Sequence, residues 1–199
     1  MKINLVSVHN LQMSDHLVAT IEYIKEKYPE GKYLYKSCDK KWIVVLETIS
    51  GSITNQTRLT VDYPTRKFAK FRSNKLKVID IIDKFDHTKT INSVKNSVYT
   101  EKAKIEYVKG TIVESDSFDM DLITVCSNGI HFFESVEPAF YYELDDRNYT
   151  GHYKSWHDDG QKWQEGDYLD GKRTGHWISW YSNGQKKEEG DYIGWNKIY

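Results

Sequence analysis

The chain has 199 residues, with 28 basic and 29 acidic side chains and a net charge of −1. So even a balance sets up no overall field to draw in nucleic acid or an anionic membrane. With only 3 prolines and 39% hydrophobic residues, the composition excludes a disordered chain.

The first predicted element is a helix in "MSDHLVATIEYIKEKYPEGK", capped by Ser14 and stopped by Pro29 and Gly31. Its apolar stripe is Leu17, Val18, Ile21, Ile24 and Tyr28. Strand patterns follow in "KYLYKS" and "KWIVVLETI", then a turn at Ser50-Gly51, then "RLTV" and "KVIDII". "KIEYVKGTIVE" reads as a hairpin turning near Lys109-Gly110. Ser135 to Tyr142, with Pro138 early, reads as one short helix.

The tail repeats itself. "GHYKSWHDDGQKWQEGDY" (151–168) and "GHWISWYSNGQKKEEGDY" (175–192) share eleven of eighteen positions at a period of 24. Asp159-Gly160 and Asn183-Gly184 predict type I′ hairpin corners. Folding each copy there sets Trp156 opposite Trp163, Lys154 opposite Glu165, His152 opposite Asp167 and Tyr153 opposite Gly166. In the second copy Trp177 falls opposite Gly190 and His176 opposite Asp191. Alternation then gathers Trp156, Trp163 and Trp180 on one face, with Tyr153, Trp177, Tyr168 and Tyr192 on the other. Rows of rings on a one-layer sheet suit a contact surface.

The fold expected is therefore α+β at the N-terminus followed by an all-β hairpin meander. Residues 1–31 form a helical segment packed on the next unit, 32–142 the α+β domain, and 143–199 the hairpin repeats. Two cysteines, Cys38 and Cys126, are too few for a disulfide framework. No signal-like run occurs at the N-terminus, and none approaches the ~18 apolar residues of a span. An intracellular protein with no membrane segment is expected.

Residues 151–192 resemble variant MORN repeats, through the pattern G-x-[WY]-x-x-W-[YH]-x-x-G-Q-x-x-x-E-G-x-Y. That resemblance implies a scaffold or contact surface with no catalysis of its own. "IGWNKIY" then departs from the pattern, as a terminal cap would. Lipid is not the expected contact, since 151–199 carries seven basic against eight acidic residues. "VCSNGIHFFES", with "YLYKS", "NQTR", "AKFRSNKLKVIDI" and "VKGTIVESDSFD", resembles an uncharacterised domain of large DNA viruses over roughly residues 32–142. It implies a viral protein acting in the host cytoplasm or in the virion.

Three chemical readings compete with a contact surface. "GIHFFESVEPAFYY" is similar in rhythm to a segment of ADP-ribosyltransferases, which makes Tyr35, His131 and Glu143 catalytic candidates for an NAD-using enzyme. The sequence lacks the usual His-Gly or Arg-Gly pair at Tyr35-Lys36. Arg58 to Lys77 holds seven basic residues and one acidic, interleaved with Tyr63, Phe68 and Phe71, making Arg66, Lys70 and Arg72 nucleic-acid candidates. Cys126-x4-His131 is half a zinc site without a second pair, and "ESDSFDMD" lacks the glycine and closing glutamate of a calcium loop. No metal or cofactor is expected. The expectation is a non-enzymatic protein that binds a protein partner or itself.

Overall fold

The computed structural model describes residues 18–58, 60–61, 65–96, 105–144, 146–194 and 196–198. The fold is mostly antiparallel β with a helix at its N-terminal side. Helix α1 is described over residues 18–27; Ser14 and Leu17 lie outside the described residues. Ile21, Ile24 and Tyr28 face the core as the stripe requires, whereas Val18 is exposed. Gly31, at φ +88°, lets the chain reverse into the first strand.

The main sheet has six strands: β1 (Leu34–Cys38), β2 (Trp42–Glu47), β3 (Lys70–Ser73), β4 (Lys75–Asp83), β7 (Ile112–Glu114) and β8 (Ile130–Phe133). They lie in the order β3-β8-β1-β2-β4-β7. Only Asn74 separates β3 from β4, yet three strands stand between them in the sheet, so the sheet must curl on itself. Leu34, Val44, Phe71, Leu76, Val78 and Phe132 fill one side of it. Over that side lies a ribbon of β5 (Ser93–Lys95) and β6 (Glu106–Val108), contributing Val94 and Tyr107. The other side packs α1 and the short helix α2 (Val136–Tyr141) around Tyr35, Ile43, Val45 and Phe133.

Two predicted elements are corrected. "RLTV" forms no strand among its described residues, and a 3-10 turn at Thr65–Phe68 leads into β3 instead. The chain does turn at Lys109-Gly110, but its arms part company: β6 pairs with β5 and β7 with β4. Local alternation marked both strands and could not name their partners.

The tail is a five-stranded meander of β9 (Gly151–Trp156), β10 (Lys162–Leu169), β11 (Lys172–Trp180), β12 (Lys186–Ile193) and β13 (Asn196–Lys197), ordered β13-β12-β11-β10-β9. Its corners fall at Gly160 and Gly184, where the glycines take φ +93° and +78°. They are three-residue loops rather than type I′ turns. His157 N–H donates to Gln161 O and Gly160 N–H to His157 O, and Tyr181, Gly184 and Gln185 repeat the arrangement. The two-residue corner with both φ positive lies between the copies, at Asp170 (+48°) and Gly171 (+72°).

A bulge between Lys162 and Gln164 absorbs the extra loop residue. Beyond it Lys154 meets Glu165, Tyr153 meets Gly166 and His152 meets Asp167, while Trp156 pairs with Lys162 instead of Trp163. The second copy pairs Trp177 with Gly190 and His176 with Asp191.

Candidate functional site

The two faces of the meander have different fates. Tyr168 and Trp177 are buried in the same core cluster as Tyr141, Tyr149 and Phe140, with Tyr153, Trp156 and Tyr192 packed at its margin. The rings meet edge to face: Tyr141 and Tyr153 at 5.7 Å, Tyr168 and Trp177 at 5.0 Å. Gly166 makes this possible, because a Cβ there would sit 2.3 Å from the Trp177 ring. Trp177 also donates its indole N–H to Asp167 O at 3.1 Å. The Tyr168 and Trp177 face is thus the docking face of the tail, a correction to its expected role as a free contact surface.

The opposite face carries a charge ladder that repeats with the sequence. His152 lies 2.9 Å from Asp167 and 3.0 Å from Glu165; His176 lies 3.2 Å from Asp191 and 2.9 Å from Glu189. Lys162 and Lys186 close each set on Glu165 and Glu189 at 2.5 Å. The hydrogen bond to Glu189, then that to Asp191, raises the His176 pKa. Trp180 is half-buried, with the Lys162 ammonium 5.5 Å from its ring centre.

At the junction of the two sheets the rings are open. Trp163 occupies the bulge and is 46% exposed, while Trp156 is stacked on Phe68 at 5.1 Å. Trp156, Trp163 and Tyr142 line both an apolar pocket of about 150 Å³ beside Phe133 and Pro138 and an open trough of about 770 Å³ beside Ile123 and Val125. Ile123 is 66% exposed and Tyr142 37%.

A polar clamp holds this junction. Asp158, in the first corner, accepts from Lys70 at 2.9 Å and from the Cys126 thiol at 3.0 Å, while Lys70 also reaches the Cys126 sulfur at 3.3 Å. Burial is the largest single influence and works against both charges, but the contacts around them, the Lys70–Asp158 hydrogen bond first and those to Cys126 after it, together outweigh it: Lys70 is held above and Asp158 below its ordinary range. Arg58 donates to the Asp158 carbonyl at 2.7 Å, and Lys70 N–H to the same oxygen at 3.1 Å.

The catalytic candidates are not brought together. Tyr35 is fully buried on β1, its hydroxyl spent on the Tyr28 carbonyl. His131 lines a different cleft from Glu143, and burial first, then Lys36 and Lys70, lowers its pKa to about 4. Glu143 sits at φ +53° with its pKa raised by burial against the pull of Lys36, Lys84 and Lys70.

The nucleic-acid candidates do not share an open surface either. Arg66 pairs with Glu134 at 3.1 Å and Lys70 with Asp158. Arg72 is fully buried, donating to the carbonyls of Asp119, Asp121, Thr124 and Asn128. It pegs the 119–128 loop to β3, a role its basic neighbours masked in the sequence. Tyr63 lies outside the described residues.

A family model described as a family of unknown function, DUF5758, matches residues 24–139. The chain belongs to DUF5758. No curated protein matches it, and no solved structure does. The DUF5758 match takes in all eight strands β1 to β8 and ends inside α2, so the meander lies beyond it while sharing a core cluster with it. Among the described residues no cluster of His, Cys, Asp or Glu is placed to hold a metal, and no helix is long and apolar enough to cross a membrane.

Proposed function

We propose that this chain is a non-enzymatic binding module that takes an apolar segment of a protein partner into the junction trough. One observation carries the reading: Trp163, Tyr142 and Ile123, all exposed, line a single open groove between the meander and the 119–128 loop. Large rings held on a firm support lose little entropy on contact and are the usual anchors of protein interfaces. We read the meander as a MORN-like array whose inner face is committed to docking, and the chain as a protein of a large DNA virus acting in the infected cell. The MORN-like reading rests on the repeat pattern and the viral one on the sequence resemblance described above.

The test compares the full chain with its Trp163→Ala and Ile123→Ala variants. Protein recovered from producing cells by crosslinking capture is compared, and self-association is read by sedimentation. Loss of one recovered protein, or of self-association, in both variants with thermal stability unchanged is expected. Recovery and sedimentation that match the parent chain in both variants would overturn the reading.

A further inference from the structure

A second, separate cleft of about 170 Å³ lies between the main sheet and the β5-β6 ribbon. Lys36, His131, Asn96, Tyr107 and the loop residues Ser127 to Gly129 line it. Lys36 comes from the middle of β1 and is only 8% exposed. Burying an ammonium costs several kcal/mol unless something pairs with it. The other buried lysines have such partners. Lys84 donates to Ser37 Oγ at 2.7 Å and to the Tyr142 carbonyl at 2.9 Å, and Lys70 is paired with Asp158. Lys36 has neither a hydrogen bond nor an ion pair among the described residues; its ammonium lies 5.8 Å from the centre of the Tyr107 ring, and the charges of Cys38 and Glu143 reach it only through space.

The rest of the wall is built and largely spent. Arg72 ties down the loop that supplies Ser127 to Gly129. The Ser127 hydroxyl donates to Asp119 and the Ser115 hydroxyl to the Ser117 carbonyl, both at 2.5 Å. Asp116, at the same cleft, is exposed. An amine with its N–H donors unspent, facing a preformed cleft and with its pKa lowered by burial, is half of an ion pair that an anion seated in the cleft would complete.

We propose that this cleft binds a small oxyanion, the carboxylate or phosphate group of a small molecule, with Lys36 as its counter-charge. The volume fits a compact group of about five or six water equivalents, at ~30 Å³ each. The neutral His131 ring beside it adds shape without a second charge. This site shares no lining residue with the junction trough, so neither proposal depends on the other.

The test uses the full chain, isotope-labelled, with acetate and inorganic phosphate titrated separately at constant ionic strength against chloride. Saturable shifts of the Ser127, Asn128 and Gly129 amides are expected with at least one anion. The one that binds names the headgroup. Lys36→Met should weaken that binding about tenfold or more, the share of one charge-assisted hydrogen bond. Should that variant not fold, the Lys36 side-chain signal of the parent chain decides, since a bound anion must move its titration upward. Absence of saturable shifts with either anion, shifts confined to residues outside the cleft, unaltered binding by a folded Lys36→Met, or a Lys36 titration unmoved by the anion would each overturn the proposal.

Discussion

Gly160 and Gly184 occupy the same place in the repeat and differ in what surrounds them, so the same substitution at both measures docking by difference. Each has a left-handed φ, and alanine there costs about 1–2 kcal/mol. At Gly184 that is the whole cost, because the nearest atom to an added Cβ is the flexible Gln161 Oε1 at 3.6 Å. At Gly160 the Cβ would meet backbone: Thr65 O at 2.3 Å and Ala69 N at 2.9 Å. Neither can swing aside, since the 3-10 turn leads straight into β3, and the corner is fastened to it by Arg58 and Lys70. Overpacking of this kind adds about 1–3 kcal/mol. Gly160→Ala should therefore lose about 2–5 kcal/mol and Gly184→Ala about 1–2. At roughly 2–4 °C per kcal/mol for a chain of this size, thermal unfolding should separate the two variants clearly. Equal losses in urea and heat would refute the close approach of the first corner to β3.

Other expectations follow from the same contacts. Gly166 has no left-handed φ, so Gly166→Ala tests the Trp177 contact alone; a loss of about 1–3 kcal/mol with a red-shifted tryptophan emission is expected, and a change under about 0.5 would contradict the packing. Burial pushes the Lys84 pKa down to about 7, well below its unfolded value, so between about pH 7 and 10 the unfolded chain binds more protons. That penalty is fully present below pH 7 and is relieved as pH rises through the window. Urea titrations should show parental stability climbing there more steeply than that of Lys84→Met, and parallel curves would exclude the buried amine. Iodoacetamide should label exposed Cys126 in the native chain and spare Cys38, which is fully buried with its pKa raised to about 11; mass spectrometry of the peptides reads the outcome.

The tail was the most legible part of the sequence because its period recurs and its corners need glycine. Even so, two details were hidden: a three-residue loop and a one-residue bulge cancel, leaving the register of Lys154 and Glu165 where a two-residue turn would put it. The residue displaced by that cancellation is Trp163, which is why its exposure could not be counted from alternation. In the first module, apolar runs marked β1, β2 and β4 but not their order, since β3 and β4 are neighbours in sequence and five places span them in the sheet. Basic residues were the least legible. Lys70 and Arg72 read with Arg66 as a phosphate-facing set until folding buried them, and burial is a property of partners distant in the chain.

The shared core also decides how the binding reading can be tested. Ending the chain near Leu144 would remove Tyr149, Tyr168 and Trp177 from a cluster that includes Phe140 and Tyr141. At roughly 1.5–3 kcal/mol for the burial lost with each ring, such a truncation sacrifices a large part of an ordinary domain's stability. A lost partner would then report unfolding as readily as a missing surface. Trp163 and Ile123 avoid this ambiguity, because side chains already half in solvent contribute little to the fold. Only changes confined to the trough separate what the meander holds together from what it offers to a partner.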